Sequence, residues 1–375
     1  MIDRDLKKNI EKKLNSGKVL LVLGARQTGK TTLLKEITNS LENVLWLNGD
    51  EPDIKELLEG ASSQRLKLVF GKNKLVVIDE AQRINNIGVI LKLIADEIKE
   101  IQVLVTGSSA LELGHEIKEP LTGRKWEYHL YPISFGELVS HDGLIKETRS
   151  LPHRLVYGSY PEVINHPGEE KEILKQLADS YLYKDLLMME GIKKPEKLIK
   201  LLQALAYQVG SEVNYTELGR TVGMNNETVE KYIGLLEKAF VIFKLNALSR
   251  NLRNEIKKGK KIYFYDNGIL NALTFQFQAF EIRKDKGALW ENYIISERQK
   301  VIQYKGIWTN KYFWRTHEQQ EIDYVEERDG KFYAYEIKWN PKSKAKFSKS
   351  FIHAYPNCET KVIHPKNIEE FLLVE

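Results

Sequence analysis

The sequence predicts an α/β protein built from several modules. Three observations carry this. Short, fully apolar runs alternate with helical stretches through the first third of the chain, the pattern of a parallel sheet covered on both faces. After Pro132 that alternation gives way to mainly helical sequence, and from Gly287 one helix precedes several strands rich in Tyr, Phe and Trp. At 375 residues the chain is also long for one domain.

Residues 1–16 read as a short amphipathic helix. Five strands follow: Lys18 to Leu23, Val44 to Leu47, Lys74 to Ile78, Ile101 to Val105 and Trp126 to Leu130. Helices are expected from Thr31 to Leu41 and from about Ile87 to Lys99. Residues 133–205 are mainly helical, broken at Gly158, Pro161 and Pro167-Gly168. Residues 206–275 hold two short helices and a basic, strand-like stretch. The expected division is 1–135, 136–200, 201–275 and 276–375, with no internal repeat or low-complexity tract.

One cysteine, Cys358, excludes a disulfide framework and a multi-cysteine zinc site. No run of about 18 apolar residues exists, so no membrane span is expected. The amino terminus has no apolar secretory core, and a cytoplasmic protein is expected. Net charge is +5 but unevenly placed: residues 1–190 sum to −3 and residues 191–375 to +8. A basic carboxyl half points to an anionic partner, nucleic acid being the commonest, or to a solvated Lys/Glu surface.

Between the first strand and the first long helix stands Gly24-Ala25-Arg26-Gln27-Thr28-Gly29-Lys30-Thr31, which fits G-x-x-x-x-G-K-[ST] in its required context. The backbone N–H groups of this loop, with those of Thr32 and the helix amino terminus, can cradle the phosphates of ATP. Lys30 would contact the β- and γ-phosphates, and the hydroxyl of Thr31 would ligate Mg²⁺. Leu75-Val76-Val77-Ile78 ends in Asp79-Glu80. Asp79 at a buried strand end can hold Mg²⁺ through water, and Glu80 can orient and deprotonate the attacking water.

Near the end, Gln320-Glu321-Ile322-Asp323-Tyr324-Val325 and Tyr333-Ala334-Tyr335-Glu336-Ile337-Lys338 flank an Asp329-Gly330 turn, a hairpin signal. Residues two apart on a strand share a face. Asp323 and Glu336 on partner strands could therefore converge on one Mg²⁺ or Mn²⁺, with Lys338 beside them to position or activate water. Glu291, on the preceding helix, could add a third carboxylate. The plain alternative is a hairpin with surface Glu and Lys. Lys342 and Lys344 follow closely and could track DNA phosphates or line a solvated loop.

Thr216 to Lys238 reads helix, turn, helix. Thr216 is a candidate cap, Gly223 the turn, and Asn225 or Asn226 the second cap. Arg250, Arg253, Lys257, Lys258, Lys260 and Lys261 then fall in a wing or hairpin able to contact DNA backbone, or belong to a purely structural linker module. Glu227 and Glu230 open the second helix and would repel phosphates, which argues against specific major-groove reading.

The nucleotide motifs resemble those of AAA-type ATPases, the middle module resembles a winged helix-turn-helix, and the hairpin with Glu291 is similar to the PD-(D/E)XK nuclease superfamily. Ile322 stands where that superfamily's name has proline. The resemblance adds two roles in the first module. Ser108 (or Thr106) would sense the γ-phosphate, and Arg124 would reach a neighbour's ATP in a ring or make a surface salt bridge.

GARQTGKTTLL, VVIDEAQRI, VTGSSALEL, LTGR with YPISFGEL, GSYPEV, YKDLL, and EIDYV with YEIKW together resemble a prokaryotic ATPase family that carries a PD-(D/E)XK-like carboxyl-terminal domain, long labelled a domain of unknown function. The resemblance implies an AAA core, a helical lid, a winged helix and a nuclease-like domain. It also implies a homo-oligomer, taken as a hexameric ring, and action on branched DNA such as Holliday junctions. A motor-nuclease that hydrolyses ATP and cuts DNA is the first reading. An ATP-gated DNA- or protein-binding switch with an inactive nuclease-like domain, in defence or regulation, is the alternative.

Overall fold

A computed structural model describes residues 1–107, 121–179, 195–248, 259–316, 318–343 and 345–373. They gather into two compact units, residues 1–132 with 238–240 and residues 133–237 with 241–375.

The first unit holds a five-stranded parallel sheet: β1 (Val19–Leu23), β2 (Val44–Asn48), β3 (Leu75–Asp79), β4 (Gln102–Gly107) and β5 (Lys125–His129), in the order β2-β3-β4-β1-β5. β1, β3 and β4 are buried along their whole length, as their unbroken apolar runs require of strands covered on both faces. The helices Lys30–Thr38 and Ile87–Glu97 bury Leu33, Leu34 and Ile37, and Ile87, Ile90, Leu91 and Ile94. These positions recur at helical spacing, so each helix offers one apolar stripe. The edge strand β5 is partly exposed, and the ammonium groups of Lys13 and Lys18 lie 4.5 and 4.8 Å from the Trp126 ring centre.

The second unit combines helices with a seven-stranded mixed sheet. Its strands are β6 (Glu212–Val213), β7 (Ile242–Ala247), β8 (Lys260–Phe264), β9 (Asn310–Arg315), β10 (Glu321–Arg328), β11 (Lys331–Ile337) and β12 (Glu359–Ile363). Their order is β12-β11-β10-β9-β7-β8-β6. β10 and β11 are antiparallel, and Asp329 and Gly330 both take positive φ at their turn, as the sequence signal required. β7 pairs β9 in parallel, so one sheet runs through position 275, where a module boundary was expected.

The helices Tyr215–Val222 and Asn226–Lys238 flank a turn at Gly223, whose φ is +67°. Leu218, Val222, Val229, Ile233 and Leu236 are buried. The first cap is Asn214, which accepts from the N–H groups of Thr216 and Glu217, and not Thr216 itself. The short Asn side chain reaches forward to the first turn from one position before the helix. Among the described residues, no helix is long and apolar enough to cross a membrane.

Candidate nucleotide and carboxylate sites

The first site lies where β1 meets the helix Lys30–Thr38. A Cβ on Gly24 would sit 2.2 Å from the Leu130 carbonyl oxygen, so only glycine fits as the chain leaves β1. Gly29 has φ +94°, a left-handed turn that delivers Lys30, Thr31 and Thr32 to the helix amino end. A helix amino end of this kind favours anions. Lys30 is 5% exposed and folds back over the loop, its Nζ donating to the carbonyls of Gly24 at 3.0 Å and Ala25 at 2.8 Å. Thr28 Oγ1 donates to the Ala25 carbonyl at 2.9 Å, while Gln27 is exposed and Arg26 half-buried.

The ends of β3 and β4 complete the site. Thr31 Oγ1 donates to Asp79 Oδ2 at 2.8 Å. Thr106 Oγ1 donates to Asp79 Oδ1 and accepts from the Glu80 N–H at 3.0 Å. Thr106 thus links both carboxylate residues. Ser108, preferred from the sequence as the phosphate sensor, lies outside the described residues. Glu80 has φ +50°, a left-handed conformation uncommon for a non-glycine residue, and its Oε2 accepts from Gln82 Nε2 at 2.5 Å. A hydroxyl and a carboxylate side by side at a helix amino end are hard oxygen donors that suit Mg²⁺ carried by a nucleotide.

Arg4 is the residue that motif reading missed. Its buried guanidinium donates to the Thr28 carbonyl at 2.8 Å and the Tyr131 carbonyl at 2.6 Å, tying the loop to the chain after β5. No motif contains it; it precedes the helix Asp5–Glu11. Arg4→Ala is expected to cost about 1.5–3 kcal/mol in urea unfolding, the range for charge-assisted hydrogen bonds, and to weaken nucleotide affinity. Arg124 donates to Asp96 Oδ1 at 2.6 Å on its own chain, with both side chains over a third exposed. That hydrogen bond holds the Asp96 carboxyl below the usual range.

The second site lies where β10 begins and β11 ends. The β9–β10 register shifts between Ile322 and Val325, and Asp323 sits in that irregularity. Asp323 Oδ2 accepts from the Ile337 N–H at 2.8 Å and from Lys338 Nζ at 3.0 Å; Lys338 Nζ also lies 2.7 Å from Glu336 Oε2. The hairpin therefore assembles Asp323, Glu336 and Lys338, as the spacing implied. Burial, then Asp323, pushes the Glu336 carboxyl up. Burial opposes the charge on Lys338, but Asp323 and Glu336 outweigh it and raise its pKa.

Glu291, on the helix Lys286–Lys305, joins the same region but is engaged elsewhere. Its Oε1 accepts from Tyr263 Oη at 2.7 Å and lies 3.2 Å from Lys261 Nζ. Burial pushes the Glu291 pKa up to about 7, Lys261 and Tyr263 pull it down, and Asp323 adds to the rise. The folded value lies above the ordinary 4.5, so this stabilising contribution is complete below pH 4.5 and lost as pH rises through 7. Glu291→Gln should flatten that part of the stability profile, read as denaturation midpoints across this range.

Two expectations are corrected here. Lys261, assigned to DNA backbone, is 1% exposed and bridges Glu291 and Glu321, the latter at 2.5 Å. β8 carries it into the protein and away from phosphates. Glu291, Asp323 and Glu336 do not form a shared metal cage. Among the described residues, no group of three or more His, Cys, Asp or Glu comes together to hold a metal ion. The physical reason is that lysines, a tyrosine and a backbone N–H take the carboxylate oxygens. Of the other basic candidates, Lys260 lies 3.9 Å from Glu230 Oε1 and Lys342 is exposed. Arg250, Arg253, Lys257, Lys258 and Lys344 lie outside the described residues.

Comparison with known proteins finds domain models along most of the chain. Residues 16–139 match an AAA domain model, residues 148–279 a domain of unknown function (DUF8612), and residues 286–370 another (DUF4143). An uncharacterized protein of Haemophilus influenzae is 28% identical over 273 residues, covering 67% of this chain and 68% of that one. An uncharacterized protein of Mycobacterium tuberculosis is 25% identical over 344 residues, covering 89% of this chain and 73% of its own. Among solved structures, a Walker-type ATPase of Pyrococcus abyssi shares the fold with a TM-score of 0.50 and 14% identity, covering 73% of this chain and 96% of that one. The first unit matches an AAA domain model and has the fold of a P-loop protein.

Proposed function

We propose that this chain, on the premise of its P-loop ATPase domain, is an ATP-hydrolysing switch that binds DNA through its second unit. The observation that carries the proposal is the Thr31–Asp79–Thr106–Glu80 arrangement beside the phosphate loop. Bound Mg²⁺ would neutralise phosphate charge as it develops in the transition state. Thr31 and Asp79 would hold it. Lys30 would turn from the Gly24 and Ala25 carbonyls to the β- and γ-phosphates. Glu80, fixed through its own N–H by Thr106, would orient the attacking water and take its proton. In a homo-oligomeric ring, taken as six copies, Arg124 would exchange Asp96 for a neighbour's γ-phosphate.

DNA as the partner is supported by the +8 charge of residues 191–375, the part of the second unit that follows its acidic residues 133–190, and by exposed lysines such as Lys342. Metal-dependent cleavage of branched DNA, Holliday junctions included, is the second reading. The meeting of Asp323, Glu336 and Lys338 at one hairpin end favours it. The engagement of Glu291 with Lys261 and Tyr263 weighs against it.

One experiment decides. ATP turnover and cleavage of labelled duplex, single-stranded and four-way-junction DNA are measured with Mg²⁺ or Mn²⁺, with and without ATP. The controls are Lys30→Ala and Asp323→Ala. DNA-stimulated turnover lost in Lys30→Ala, with every substrate intact, is the expected result. Junction cutting lost in Asp323→Ala would replace the switch by the motor-nuclease. Unchanged turnover in Lys30→Ala would overturn the nucleotide site.

A further inference from the structure

We infer that Lys261 is the resident cation of the carboxylate site: its ammonium occupies the place between Glu291 and Glu321 that a divalent ion would otherwise take. The inference deepens the binding reading of the second unit and rests on it for its biological sense. Its physical content concerns the site alone.

Four carboxylates gather here: Glu291, Glu321, Asp323 and Glu336. Two ammonium groups divide them. Lys338 serves Asp323 and Glu336 from within the hairpin. Lys261 serves Glu291 at 3.2 Å and Glu321 at 2.5 Å, from a strand that is not a neighbour of β10 in the sheet. It passes the Phe313 ring on β9, 5.5 Å from the ring centre. At 1% exposure it is among the most buried charges described. Burial works against its ammonium, and the two glutamates more than offset this, so its pKa lies above the ordinary lysine value.

A buried lysine is tolerated only where it is paired and hydrogen-bonded. The site is built around it. Tyr263 Oη fixes the Glu291 oxygen that Lys261 faces. Gly210 leaves room beside it, since a Cβ there would lie 3.2 Å from Glu291 Oε1. Arg315 approaches the second Glu321 oxygen at 3.9 Å. Lys261 is thus a positioning residue. It sets how the carboxylates are presented and how poorly they attract hard cations, because divalent affinity follows the uncompensated charge of the ligands.

The test is Mn²⁺ binding by the full-length chain, read as loss of the free-ion electron paramagnetic resonance signal. An Asp79→Asn background removes the cation site of the nucleotide loop. Lys261→Met should bind Mn²⁺ at least about tenfold more tightly than the background chain, the gain from two freed carboxylates. Lys261→Arg should match the background, and adding Glu291→Gln to Lys261→Met should abolish the gain. Thermal melts give the second readout: Mn²⁺ should raise the midpoint of Lys261→Met and leave that of the background chain unchanged.

Equal or weaker Mn²⁺ affinity in folded Lys261→Met overturns the inference. So does a Lys261→Met or Lys261→Gln chain that stays unfolded in millimolar Mn²⁺, since a cation able to replace the ammonium would restore the fold. Junction cutting by the wild-type chain, with the Mn²⁺ gain intact in Lys261→Met, would sink the binding reading and leave this inference standing.

Discussion

Glu80→Gln is expected to lower the turnover number for ATP by about 10²–10⁴-fold while nucleotide affinity stays the same or tightens, the range a positioned general base contributes. The substitution keeps size and hydrogen-bonding capacity but removes the basic oxygen. Gln82 and Thr106 still hold residue 80, by its side chain and its N–H respectively, so the loop geometry should survive. ATP would then bind, stay unhydrolysed and hold the protein in its nucleotide-bound state. Single-turnover kinetics and sedimentation in ATP measure the two effects separately. Normal turnover would remove Glu80 from the mechanism and leave Asp79 and Thr106 as a merely structural pair.

The nucleotide site was largely legible because its chemistry is local. Gly24, Gly29, Lys30 and Thr31 are contiguous, and Asp79 and Glu80 end an apolar run whose placement in a parallel sheet follows from its composition. Thr106 was harder. It and Ser108 stand two positions apart on the same short sequence, and only the register of β3 against β4 brings Thr106 to Asp79. Arg4 could not be read at all, since its partners are carbonyls 24 and 127 positions away.

The carboxylate site shows the opposite limit. The hairpin followed from turn chemistry and spacing. Lys261 did not, because it closes a basic run that reads as a surface. What turns it inward is β8 joining a sheet shared with β9 and β10, which a boundary at position 275 separates on paper. Charge patterning tells which residues are charged; long-range pairing decides which of them meet.

The same pairing makes the second large effect, on stability. Arg298→Met is expected to destabilise the second unit by about 3–5 kcal/mol, the cost of leaving one member of a buried ion pair without its partner. Arg298 and Glu326 are 2% and 0% exposed. The guanidinium donates from Nε to Glu326 Oε1 at 2.7 Å and from Nη2 to Oε2 at 3.0 Å, and from Nη1 to the Phe371 carbonyl at 2.7 Å. This bidentate pair clamps the helix Lys286–Lys305, which carries Glu291, onto β10, which carries Asp323. Losing it should loosen the carboxylate site before the unit unfolds. Arg328 also contacts Glu326 and is the more exposed of the two arginines, so it can share the stranded charge and hold the loss to the lower part of that range. Replacing both buried partners, as Arg298→Met with Glu326→Leu, should recover most of the loss, because an apolar pair of similar volume removes both desolvation costs. Urea denaturation of the single and double variants measures this. A double variant no more stable than Arg298→Met would mean that the contact with the Phe371 carbonyl, on the helix Glu369–Leu372, and not the ion pair, carries the loss.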